Sequence, residues 1–102
     1  MKEISTAELK NKMEKGESLH IIDVREDEEV AAGIIPGASH IKLGEIPERL
    51  DELDQDKHYY MVCRSGGRSG KASEYLEAKG FQATNVAGGM LDWHGEIEVS
   101  EK

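Results

Sequence analysis

Short apolar runs alternate with helix-patterned segments along this chain, and that alternation constrains the fold more than any other feature. Residues 19–24, 38–43, 58–62 and 83–87 each read as a strand, being brief, rich in apolar or β-branched side chains and bounded by turn signals. Helix signals fall before and between them. Ser5-Thr6-Ala7-Glu8 has capping-box form, Leu9 and Met13 mark one apolar face, and Gly16 ends that first helix. Arg25 to Ala32 reads as a short helix with Glu26, Asp27, Glu28 and Glu29 crowding its positive end, closed by Gly33. Pro36-Gly37 marks a turn, and Pro47 predicts the opening of a further helix through Arg49, Leu50 and Leu53. Residues 70–79 carry helical spacing and stop at Gly80. Gly88-Gly89 leads into a last short helix over 90–93. Strands separated by helices pair in parallel, so the fold class is α/β.

Ligands of such sheets sit outside the carboxyl ends of the strands, and the chain's only cysteine follows one of those ends. Cys63-Arg64-Ser65-Gly66-Gly67-Arg68-Ser69 joins the strand at 58–62 to the following helix. A thiol in a Gly-rich turn at a helix start meets backbone N–H groups and a positive dipole end, which favour its thiolate. A free cysteine is often just a buried hydrophobe. Two glycines, two arginines and two serines in the next six positions argue instead for an anion-binding cradle around a nucleophile. Ser69 serves equally well as a donor to sulfur or as a cap for the helix.

With 102 residues the chain makes one domain, read as 1–95 with an acidic, loose tail over 96–102. A net charge of -8 argues against nucleic acid and excludes long-range attraction of anionic substrates. An anion must then be captured locally, which screening over roughly 8 Å permits. One cysteine excludes an internal disulfide and points to a reducing compartment. No secretory h-region or membrane-spanning run is present, so the expected location is the cytoplasm, with no membrane partner. His20, His40, His58 and His94 lack metal-ligand spacing, and neither a metal nor a cofactor is expected. Asp23 reads as a structural hydrogen-bonding group at a strand end ahead of a group that orients the active site, and Met90 and Trp93 read as cover for the last strand.

Four segments together resemble the rhodanese family in its single-domain form: Asp23-Val24-Arg25-Glu26, Gly33-Ile34-Ile35-Pro36-Gly37-Ala38, the loop from Cys63 to Ser69, and Gly88-Gly89 with Trp93. The resemblance implies a three-layer fold with a five-stranded, mainly parallel sheet flanked by helices. It also implies sulfur transfer through a persulfide on Cys63. The residues themselves point to Arg64, Ser65, Gly66, Gly67, Arg68 and Ser69 as the donor-binding set. Ile34 stands where many members carry histidine, and His40 where asparagine is frequent; both lie outside the reactive loop and imply altered packing.

A donor such as thiosulfate is a small dianion. Attack by Cys63 on its outer sulfur expels sulfite, so charge must be stabilised on both enzyme and leaving group. Depressing the thiol pKa raises the thiolate fraction but lowers nucleophilicity, with a Brønsted slope of about 0.4–0.5, and returns much of the gain. The loop's larger task is therefore to position the donor. Arg68, entering the helix, is expected to clamp its oxygens, and Arg64 to guide entry at the rim. With no second cysteine, the sulfur must leave to an external thiol, a partner protein's cysteine, or cyanide.

Two other functions compete. Cysteine-based phosphatases or arsenate reductases resemble Cys-x5-Arg, usually with a preceding histidine, whereas Cys63 to Arg68 is Cys-x4-Arg after Val62. The shorter ring suits a sulfur atom better than a phosphate group. A non-catalytic binding module of the same fold is expected to lose the nucleophile, and Cys63 is present.

Overall fold

The computed structural model describes residues 1–99. Its centre is a five-stranded sheet of β1 (Lys2–Ser5), β2 (His20–Asp23), β3 (Ser39–His40), β4 (His58–Val62) and β5 (Gln82–Ala87). The spatial order is β1-β5-β4-β2-β3, and every pairing is parallel, so the mainly parallel expectation resolves to a wholly parallel sheet. β4 lies at the middle with β5 and β2 beside it. All strand ends therefore point the same way, and Cys63 leaves the sheet at its centre.

Three α-helices cover this sheet: α1 (Thr6–Glu14), α2 (Asp27–Ala31) and α3 (Gly67–Ala78). The capping box at Ser5 is formed, with the Glu8 amide donating to Ser5 Oγ and the Ser5 amide to Glu8 Oε1. Neighbouring strand residues point to opposite faces, and this builds two cores. On one face Ile22, Met61, Ala83, Ala72 and Leu76 pack together; on the other Leu9, Ile21, Val62 and Val86 do so, with Ile35. Met90 and Trp93 pack against the second cluster, as cover for β5.

Several boundaries differ from the sequence expectations. β1 was unforeseen from local pattern: it is a polar edge strand in which Ile4 alone is apolar. The strand expected over 38–43 shortens to Ser39–His40, because the chain turns at Lys42 into a 3-10 segment, Leu43–Glu48. Pro47 lies inside that segment rather than opening an α-helix; it has no N–H to continue the ladder, and a second 3-10 turn follows at Leu50–Glu52. α3 starts at Gly67, three residues earlier than its apolar spacing suggested, so Arg68 and Ser69 are helical. The stretch after Gly95 is not loose where described: Ile34 and Glu98 exchange both backbone hydrogen bonds, at 2.9 and 2.8 Å. Residues 100–102 of the expected tail lie outside the described residues.

Candidate active site

The turn from β4 into α3 wraps around the Cys63 side chain. Gly66, at φ +103, reverses the chain in a conformation that favours glycine, and its N–H donates to Cys63 Sγ at 3.0 Å. From the first turn of α3, Ser69 Oγ lies 3.3 Å from the same sulfur. Cys63 and Ser69 are both buried. Burial alone pushes the thiol pKa up. The Ser69 hydroxyl and the backbone amides of Ser69, Gly66 and Ser65 outweigh it, and the thiol ends below its ordinary value. The Gly66 amide and the Ser69 hydroxyl thus both lie against the sulfur, and no side chain caps the start of α3.

A second turn holds the loop from behind. Gly88 and Gly89 both have positive φ, and the amides of Met90 and Leu91 donate to the carbonyls of Cys63 and Arg64, each at 2.9 Å. A Cβ on Gly89 would lie 2.4 Å from the Cys63 carbonyl oxygen. This close approach explains Gly89, whereas a Cβ on Gly88 would run into the Asp92 side chain.

The two arginines separate. Arg64 and Ser65 are exposed at the loop's outer edge, and Arg64 forms no ion pair among the described residues. Gly67 is also exposed, at the helix start. The Arg68 fork, which the sequence reading gave to the donor, is occupied: its two terminal nitrogens donate to the Glu29 carboxylate of α2 at 2.8 and 2.9 Å. The Arg68 guanidinium holds the Glu29 carboxyl down to about 2, so Glu29 is charged at any ordinary assay pH. Glu29, and less strongly the Cys63 thiolate, in turn raise the Arg68 pKa.

Sequence reasoning missed two residues. In the sequence Glu29 is one of four acidic residues crowding a short helix start, and its pairing across 39 positions has no local signal. Asn85 on β5 is buried, with Nδ2 donating to the Gly66 carbonyl at 3.1 Å and Oδ1 lying 2.5 Å from Ser69 Oγ. Its one signal is a polar residue inside an otherwise buried strand.

Asp23 is structural. Its carboxylate accepts from the Arg25 amide and from the guanidinium, at 2.8 Å at the closest, while Arg25 also donates to the Gly33 carbonyl at 2.6 Å. This buried pair ties α2 and the turn after it to the end of β2.

The model of the Rhodanese-like domain matches residues 5–96 of this chain. The "Putative sulfurtransferase YtwF" of Bacillus subtilis (strain 168) is 57% identical over 98 residues, covering 96% of this chain and 95% of that one. A protein named Sulfurtransferase from Allochromatium vinosum is 34% identical over 96 residues, covering 91% and 90%. Among solved structures, a rhodanese-like domain protein from Staphylococcus aureus superposes with a TM-score of 0.94 at 47% identity, covering 99% of this chain and 100% of that one.

Proposed function

The chain belongs to the rhodanese-like domain family, and on that premise we propose that it is a sulfurtransferase carrying sulfane sulfur as a persulfide on Cys63. One observation carries the reading: the sole thiol lies in a ring of donors, with the Gly66 amide 3.0 Å and the Ser69 hydroxyl 3.3 Å from Sγ. In the first half-reaction the thiolate attacks the outer sulfur of thiosulfate. The Sγ–S bond forms as the donor's S–S bond breaks, and sulfite leaves with the electron pair. In the second half-reaction a thiol or cyanide attacks the outer sulfur, and Sγ departs as thiolate. The relatives named as sulfurtransferases support this reading at the level of the reaction class.

Thiosulfate:cyanide sulfur transfer, measured beside aryl phosphate hydrolysis, tests the proposal. Sulfur transfer with negligible phosphatase turnover is expected from the six-residue ring. Robust phosphate hydrolysis in its place would overturn the assignment.

The roles proposed for the arginines follow from their partners. Removing Arg68 deletes a cation near the sulfur and leaves the Glu29 carboxylate unmatched beside an anion site. Arg68→Ala is expected to lower kcat/KM for thiosulfate about 30-fold or more, and adding Glu29→Gln should recover part of that loss. Arg64→Ala should cost less, in a manner that fades with rising salt, as steering by an exposed charge does. A larger loss at Arg64 would make it the donor clamp.

A further inference from the structure

Asn85 presents an arrangement that the sulfur-transfer reading leaves unused. Its amide orientation is fixed from one side, because Nδ2 donates to the Gly66 carbonyl and to Glu3 Oε2, both at 3.1 Å. Turning the amide over would set Oδ1 against two acceptor oxygens. Oδ1 must therefore face Ser69 Oγ, 2.5 Å away, and it can only accept. Ser69 Oγ has a second acceptor within reach in Cys63 Sγ, at 3.3 Å. A hydroxyl carries one proton, so it satisfies one of these two acceptors at a time.

We propose that Asn85 is a positioning residue that competes with the Cys63 sulfur for the single proton of Ser69, holding it while the sulfur is uncharged and yielding it as negative charge builds on Sγ. In the resting thiol the order is Cys63 S–H to Ser69 Oγ, and Ser69 O–H to Asn85 Oδ1. On ionisation the thiol proton goes to water, and the Ser69 proton swings from Oδ1 to Sγ. When the persulfide forms, the charge moves to the outer sulfur and the Ser69 proton returns to Asn85. When an acceptor takes that outer sulfur, the electron pair of the breaking S–S bond falls on Sγ and Ser69 swings back to receive it. The hydroxyl thus follows the charge on sulfur, and nothing is oxidised or reduced by it. All three side chains are at most 2% exposed, and Sγ and Oδ1 are the acceptors packed against the Ser69 hydroxyl.

The charged groups around this triad come from four elements: Glu3 on β1, Arg68 on α3 with its partner Glu29 on α2, and Arg64 in the loop. Asp23, at the end of β2, is satisfied by Arg25. None of these charges reaches the Ser69 hydroxyl within hydrogen-bond distance, so the competition is between Sγ and Oδ1.

The test is the pH dependence of iodoacetamide alkylation, which reports on one site because Cys63 is the only thiol. It is measured for the full chain, Asn85→Ala, Ser69→Ala and the double variant. Competition predicts that Asn85→Ala moves the midpoint to lower pH when Ser69 is present, relative to its shift in the Ser69→Ala background. The expected difference is about half a pH unit or more, roughly threefold in the ionisation constant. A residue that merely braces Ser69 and Gly66 gives the opposite sign, since its loss lets the Ser69 donor drift away from the sulfur. Equal shifts in both backgrounds, or a greater upward shift with Ser69 present, overturn the proposal. Should Asn85→Ala fail to fold, the S–H stretching band decides. At a pH where the thiol is intact it should lie at lower frequency in the unmodified protein than in Ser69→Ala, and identical bands contradict the relay. The inference rests on Cys63 as the reacting nucleophile, but alkylation needs no sulfur donor. Failed coupling therefore leaves the sulfurtransferase reading standing, and absent sulfur transfer leaves the coupling measurable.

Discussion

Cys63→Ser is expected to keep the fold and lose sulfur transfer to the uncatalysed background, a drop of at least about a thousandfold. A serine hydroxyl fits the same cavity and accepts the Gly66 amide in place of sulfur, so stability should change by no more than about 1.5 kcal/mol. Chemistry has no such substitute. An alcohol at neutral pH is almost wholly protonated, and oxygen cannot form the sulfur–sulfur bond that stores the transferred atom. The chain holds no other thiol to take over. Steady-state turnover with thiosulfate and cyanide, alongside circular dichroism, checks both halves of the expectation. Retained turnover in a folded variant would remove Cys63 from the mechanism.

The second large effect falls on stability. Asp23 is 1% exposed and Arg25 7%, and each satisfies the other. Deleting one partner of a buried pair strands the remaining charge, at a cost of about 3–5 kcal/mol. Against a total of about 5–15 kcal/mol for a typical domain, that is a large share. Asp23→Ala is expected to lower the urea midpoint by a corresponding amount, with an unchanged m-value. Asp23→Ala/Arg25→Met should lose less than the two single variants added together, because no charge is then stranded. A cost below about 1 kcal/mol for Asp23→Ala would show that the pair does not anchor α2 to the sheet.

What the sequence revealed and what it hid divide by range. The capping box at Ser5 and Glu8 is local, and it appears as read. The cradle was legible because Cys63, Gly66 and Ser69 lie within seven consecutive residues, and a strand-to-helix turn leaves them little freedom to separate. The end of α3 at Gly80 was legible for the same reason: the Phe81 amide returns to the Leu76 carbonyl across that turn. β1 was hidden because an edge strand pairs through its backbone on one side, and Lys2, Glu3 and Ser5 carry no apolar alternation. Pro47 was ambiguous, since the same fixed φ that opens an α-helix also suits a 3-10 segment. Arg68 shows the limit most plainly. Its place at the start of α3 follows from the loop, but its partner Glu29 comes from another helix and is brought there by the tertiary fold. Asn85 is similar: β5 sets it beside β4, opposite Met61 in register, and nothing within its own segment announces Ser69.

The proposed mechanism depends on sulfur being carried covalently on Cys63. Intact-mass spectrometry after incubation with thiosulfate, followed by removal of excess donor, tests it most directly. A single added sulfur atom is expected, absent from Cys63→Ser and removed by cyanide with return of the original mass. An unchanged mass during active turnover, or an equal gain in Cys63→Ser, would contradict it.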